Sequence, residues 1–403
     1  MEKSILNLSL LKGEKYLKWL IFVGVFWFVL GVAYISVNKI YQQGVVVFLF
    51  LPLIFILALN FKLFKSFLFN NKIFSFVCSA LFLYIAVNGF FFNAVQSVKH
   101  ILYIIIFLAL GFFLILFDYG EKLLERALFF ILLAVALICL CSFYDFFYLS
   151  GNSVFSRMWG VLGVSHPILA SYYIGLFFIL SSALFAEQRK LYMLPFIFIF
   201  TAFIFFSQSR GAYIAVLVTL IFYVIVFARK NKFAIWSSFA FLSVSFFLGY
   251  IFLDQIMIRG TSSRPELIVS GLTMAMENLW FGHGIDYKYF LYTDTAPYEY
   301  YHAHNLILHI FIRLGLVGVI LFSALWLYCF YCCYRSKELF LAKFNLLLIV
   351  FSSVAFQFDS ASLIAQPRLE WFVVWVPICI TVAVMAVRFL DDFKESNKLS
   401  DIA

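Results

Sequence analysis

The stretch Tyr301-His302-Ala303-His304-Asn305-Leu306-Ile307-Leu308-His309-Ile310-Phe311-Ile312-Arg313-Leu314-Gly315-Leu316-Val317-Gly318 is where a polar run, Asp254 to Tyr301, gives way to an apolar helix. An apolar segment entered through histidines and an asparagine reads as a membrane span whose first turn meets water. The rest of the 403-residue chain agrees, being 65% hydrophobic and 12% charged with a mean hydropathy of +1.02. Such a composition excludes a soluble globular protein. We expect an all-α polytopic membrane protein, a single integral domain over 1–403, whose polar chemistry is confined to a few gaps. The largest gap is 254–304, a loop between the ninth and tenth spans.

Apolar runs long enough to cross a bilayer can be placed directly on the chain. They lie near Leu17–Val37, Val45–Asn60, Ile73–Phe92, Ile101–Phe117, Ala127–Phe147 and Pro167–Phe185 in the first half. Leu191–Phe206, Gly211–Ala228, Phe233–Leu253, Asn305–Cys333, Leu341–Phe358 and Trp371–Leu390 follow, so about twelve spans are expected. The first has no small-residue cleavage site behind it and reads as a retained helix rather than a signal peptide. Lys and Arg total 29 against 20 Asp and Glu. The excess sits in short gaps between spans, which makes it an orientation signal and not a nucleic-acid surface. With a cytoplasmic N-terminus, 20 of the 29 basic residues fall inside. Both termini are then cytoplasmic, and the 254–304 loop and all six histidines lie toward the outer face. All seven cysteines fall in apolar segments, so neither a disulfide framework nor a cysteine metal site is expected.

The polar gaps hold few groups able to do chemistry. Ser263-Arg264-Pro265-Glu266 reads as a capping box opening a short amphipathic helix, with Ile268, Leu272, Ala275 and Leu279 on its apolar face. A cation at a helix N-terminus is disfavoured by the macrodipole unless an anion binds beside it, so Arg264 is a candidate anion ligand; an ion pair with Glu266 is the structural alternative. Arg210 precedes the span starting at Gly211 and repeats the arrangement, with a snorkelling arginine as its alternative. His304, at the start of another inward-running span, is a candidate general base. His302-x-His304 resembles half a metal site, but on a helix the two side chains diverge and no carboxylate is spaced with them, so no metal is expected. His309 and Arg313, four apart, share a face and are secondary substrate-binding candidates. The connector Tyr148 to His166, with Arg157 and His166, reads either as a wall of the site or as plain loop. Two arginines and a histidine at helix starts suit a lipid-linked pyrophosphate beside a proton acceptor. The chain carries no Asp-x-Asp motif, which disfavours a metal-dependent nucleotide-sugar enzyme.

His304-Asn305, nine residues, Gly315, two residues and Gly318 match a pattern of the bacterial O-antigen ligases. Ser207-Gln-Ser-Arg-Gly211 and the Arg264 helix ending in Gly282-His-Gly284 also resemble that family. The resemblance implies an enzyme of the bacterial inner membrane, a glycosyltransferase of lipopolysaccharide biosynthesis with a periplasmic site. It would transfer a glycan from undecaprenyl pyrophosphate to the lipid A core oligosaccharide without nucleotide, metal or other cofactor. Arg210 and Arg264 would then hold the pyrophosphate, His304 would be the base, and His302 would lie at the substrate. Ile268 departs from the leucine expected four residues after the loop arginine, and His302 competes with His304 for the motif position. O-antigen polymerases and protein O-oligosaccharyltransferases share the superfamily loop, but one sizeable outer loop rather than two favours a ligase. A flippase or other transporter is the alternative of a different class; it would carry ionisable residues at mid-depth, and these spans carry almost none.

Overall fold

The computed structural model describes residues 14–117, 119–228, 263–293, 299–359 and 362–400. The expected ninth span, Phe233–Leu253, and the first part of the polar run lie outside the described residues. The chain is an all-α polytopic membrane protein. Among the described residues the only β pairing is an isolated bridge between Leu291 and Tyr300.

Among the described residues, eight helices are long and apolar enough to cross a membrane. They include α1 (Glu14–Tyr34), α2 (Asn38–Leu59), α3 (Lys72–Phe91), α4 (Val95–Leu116), α5 (Glu121–Leu149) and α6 (Pro167–Gln188). Three shorter apolar helices accompany them: α7 (Leu191–Phe206), α8 (Arg210–Val226) and α11 (Phe340–Ala355). Between α8 and α11 come the short α9 (Arg264–Glu277) and the long α10 (Leu306–Arg335), and α12 (Trp371–Ser400) closes the chain. Eleven of the twelve expected spans therefore coincide with helices, of which eight reach full spanning length. At about 1.5 Å rise per residue, 16 or 17 helical residues fall short of a hydrocarbon core of about 30 Å.

Large aromatic side chains fill the space between helices. Trp371 and Trp375 on α12 are fully buried with Phe107, Phe112 and Phe113 on α4. The Trp375 indole donates to the Leu363 carbonyl at 2.9 Å and that of Trp371 to Ala365 at 3.2 Å, so the loop before α12 is pinned to its own helix. Buried indole N–H groups require such partners. A second, smaller core of Leu267, Ala275, Tyr289, Leu291, Leu308 and Ile312 lies under the polar run and joins α9 to α10.

The two ends of the bundle differ. At one end, Lys343 donates to Glu187 at 2.5 Å, Tyr223 donates to the same carboxylate at 2.9 Å, and Lys190 pairs with Glu125 at 2.7 Å. At the other end, Gln42 reaches the Pro367 carbonyl at 3.4 Å, Ser97 donates to Asp286, and the Arg157 loop meets the Ser207 turn. This second end gathers the loops that carry the candidate residues.

Helix α10 is broken by design of its sequence. Gly315 has φ +64° and ψ −169° inside it, a region open only to glycine. The carbonyls released there are taken by the polar run: His283 N–H donates to Ile312 O at 3.0 Å and Gly284 N–H to Arg313 O at 2.9 Å. In return Leu316 N–H donates to Leu279 O at 2.8 Å. A Cβ on Gly315 would lie 2.3 Å from the Trp280 carbonyl oxygen. The second motif element is thus a backbone socket that locks the middle of the polar run, residues 279–284, into α10, 11 residues after His304.

Candidate active site

His304 does not lie on the helix. Asn305 is the N-cap of α10, its Oδ1 accepting from Leu308 N–H at 2.9 Å, a contact that contributes about 1 kcal/mol. His304 precedes the cap with φ +49°, an uncommon left-handed conformation for a residue with a Cβ. That turn brings His302 and His304 together instead of apart, with ring centroids 3.8 Å from each other. The expected divergence assumed helical phase, and the left-handed turn removes it.

The start of α10 is tied to the end of α11. Leu306 N–H donates to Phe356 O at 2.8 Å, and the Asn305 amide donates to Gln357 Oε1 at 2.9 Å. The next residues of that segment are Phe358 and Asp359, and Asp359 Oδ1 meets His304 Nδ1 at 3.1 Å. So a carboxylate partner exists, contrary to the reading from spacing, because it arrives from 55 residues downstream. Asp359 is buried at 4% exposure. Burial alone would raise its carboxyl, but the hydrogen bond and charge of His304, with His166 and His302 behind it, hold it below its ordinary value. An ionised Asp359 fixes the proton on Nδ1 of His304 and leaves Nε2 as the basic nitrogen. His302 is pushed down to about 4, first by burial and then by His304, and is neutral at neutral pH.

His302, His304 and Asp359 place ligand atoms within 4.8 Å of one another, a set able to hold a metal ion. Two features of the surroundings work against a cation there. The carboxylate is already engaged by His304, and Arg368 adds positive charge near His302.

The two helices that begin with the candidate arginines meet the same segment. Arg264 begins α9 as expected, and its guanidinium lies over the Phe358 ring, 5.7 Å from the centroid. The capping box is not formed as written: Ser263 makes no side-chain cap bond, and Tyr300 donates to its hydroxyl at 3.3 Å. The face of α9 turned to the protein is Leu267, Gly271 and Ala275, while Ile268 and Leu272 are exposed. The expected apolar face is displaced by one residue because α9 is apolar on both sides. Arg210 begins α8, whose next residue, Gly211, packs against Phe358 and Tyr172. Arg157 Nε donates to Ser207 O at 3.1 Å, so the connector after α5 does wall this turn.

His309 and Arg313 lie deeper on α10. His309 Nδ1 meets Tyr289 Oη at 2.7 Å, and Arg313 donates to Ile285 O at 2.8 Å with its guanidinium 5.9 Å from the Tyr289 ring centroid. Burial pushes the Tyr289 hydroxyl up to about 12, so it stays a neutral phenol. These two side chains hold the polar run from behind, whereas His302, His304 and Arg264 lie around Phe358 and Asp359, and Arg210 opens the helix whose next residue, Gly211, packs against Phe358. Sequence spacing missed Asp359, Phe358, Tyr172 and Arg368. A carboxylate between two spans was the only visible signal among them.

Residues 195–323 match the family model described as O-Antigen ligase, and this range contains every motif from Ser207 to Gly318. The chain is also similar to an O-antigen ligase of Pseudomonas aeruginosa, 23% identical over 251 residues. That similarity covers 61% of this chain and 61% of the relative's length. Both comparisons support the resemblance to the O-antigen ligase family that the motifs carry.

Proposed function

We propose that the protein is an O-antigen ligase, transferring a glycan from undecaprenyl pyrophosphate to the lipid A core oligosaccharide at the periplasmic face of the bacterial inner membrane. The observation that carries the reading is the His304–Asp359 pair, 3.1 Å apart, beside Phe358, whose ring lies under the Arg264 guanidinium and against which the first turn of the Arg210 helix packs. His304 Nε2 takes the proton of an acceptor hydroxyl as its oxygen attacks the anomeric carbon of the donor sugar. The bond from that carbon to the phosphate oxygen breaks, and the electron pair leaves on undecaprenyl pyrophosphate. Arg264 and Arg210 stabilise the developing charge, Asp359 stabilises the imidazolium, and His302, neutral, lines the acceptor side. His309 and Arg313 act through the loop they hold. The exposed apolar residues of α9, Ile268, Val269, Leu272 and Met276, suit a helix resting on the membrane where the lipid donor lies. Catalysis needs no metal in this scheme.

The test is transfer by the purified full chain from undecaprenyl-pyrophosphate glycan to lipid A core in the presence of a chelator. Joined product in chelator is the expected result. Loss of transfer on chelation would make the His302–His304–Asp359 set a metal centre, and a donor elongated by a second donor glycan would make the protein a polymerase. Movement of labelled donor across liposomes without joining would make it a transporter.

A further inference from the structure

Tyr172 on α6 is 1% exposed, and its hydroxyl has no hydrogen-bond partner among the described residues. Leaving a buried hydroxyl unpaired opposes folding, so it calls for an explanation. Its neighbour Tyr173 shows the ordinary solution, donating to Val29 O at 2.7 Å. The Tyr172 hydroxyl instead lies against the first turn of α8, where a Cβ on Gly211 would fall 2.5 Å from its oxygen. The charges of Asp359, Arg264 and Arg157 all bear on it. Ser209 Oγ, at the N-cap of the same helix, is a second buried hydroxyl without a partner, and it makes no cap bond. By contrast Ser207, two residues earlier, is satisfied by Ser171 at 2.6 Å and by Ile204 O at 2.7 Å.

Two orphan hydroxyls at one 17-residue helix N-terminus, among arginines, have a common solution in an oxyanion. Gly211 is what lets Tyr172 and Phe358 come so close to that turn, since its Cβ would also fall 2.6 Å from Phe358 Cβ. Phe358 in turn carries the Arg264 guanidinium. We propose that Tyr172 and Ser209 donate hydrogen bonds to the phosphate oxygens of the pyrophosphate group, and that Arg264 with Phe358 covers them until that group arrives. An arriving dianion draws Arg264 off the Phe358 ring, and Phe358 then yields access to the Tyr172 hydroxyl. The inference rests on the transfer reading above for the identity of the anion, and adds the neutral donors that the arginines lack.

The experiment uses purified full-length protein with inorganic pyrophosphate as the probe, followed by thermal shift and by the transfer assay. Tyr172→Phe removes an unpaired hydroxyl, so its melting temperature without pyrophosphate should equal or exceed that of wild type. Its affinity for pyrophosphate and its transfer rate should each fall about 10-fold to 100-fold, the range for one hydrogen bond to a charged group. Ser209→Ala should behave in the same direction. Tyr173→Phe, which loses a made hydrogen bond, should melt lower and keep its pyrophosphate affinity. Wild-type affinity in both Tyr172→Phe and Ser209→Ala, or no pyrophosphate binding by wild type, would overturn the inference. Tyr172-dependent pyrophosphate binding without any glycan transfer would leave the anion site standing and remove the transfer reading. Transfer with no effect of either substitution would do the reverse.

Discussion

Asp359 changes what a histidine in this position can do, because a carboxylate on Nδ1 both selects the tautomer and stabilises the protonated ring. Asp359→Asn should therefore keep the pair's geometry and still lower turnover, by about 100-fold or more, with little effect on the apparent affinity for donor. In the proposed reaction the arginines act on the leaving group. Arg264→Ala or Arg210→Ala should each lower transfer about 100-fold to 1000-fold. Lysine should restore transfer only in part, and at Arg264 it also gives up the flat stack on Phe358. His302 gives a separate signature in stability. Its folded value of about 4 lies below the ordinary 6.5, so between these pH values the unfolded chain binds a proton that the folded chain refuses. Stability contributed by neutral His302 is full above about 6.5 and is lost as pH falls toward 4. His302→Gln should flatten the melting temperature against pH in that window, whereas the Asp359 contribution, from a depressed carboxyl, is lost only at lower pH. An unchanged slope in His302→Gln would contradict this assignment.

At the scale of elements, the glycine motif is a mechanical joint. The break at Gly315 accepts the backbone of Trp280 to Gly284, and so fixes where α9 ends relative to α10. Gly315→Ala should lower stability by about 1–3 kcal/mol, because alanine is strained at φ +64° and its Cβ meets a carbonyl oxygen. Transfer measured below the melting point should fall further than that loss of folded protein accounts for, since Arg264 shifts with its helix. Helix positions were legible because apolar run length is a direct reading of bilayer thickness. The start of α9 at Arg264 also follows from local chemistry, whereas the start of α10 falls one residue later than expected, with Asn305 as its cap and His304 before it. What stayed hidden depended on turns and on distant segments. No spacing rule shows that His304 takes a left-handed conformation, that Asp359 returns from the end of α11, or that Tyr172 carries a buried hydroxyl without a partner among the described residues.

At the scale of the molecule, the loops carrying His166, Arg210, Arg264, His304, Asp359 and Arg368 share one end of the bundle, and the Glu187–Lys343 pair marks the other. From the positive-inside count we propose that the first end is periplasmic. Asp286→Cys should then react with an impermeant thiol reagent on intact spheroplasts and Lys72→Cys should not; the opposite pattern would invert the topology. Among the described residues the spans between the two ends carry little ionisable chemistry, which favours the proposed transfer at one surface over a carrier. The central claim is that His304 is the base of a group transfer. Its most direct measurement is single-turnover transfer of glycan to lipid A core by His304→Ala beside His302→Ala, at saturating donor. The account predicts loss of nearly all turnover in His304→Ala and a milder loss in His302→Ala, whereas full turnover in His304→Ala would contradict it.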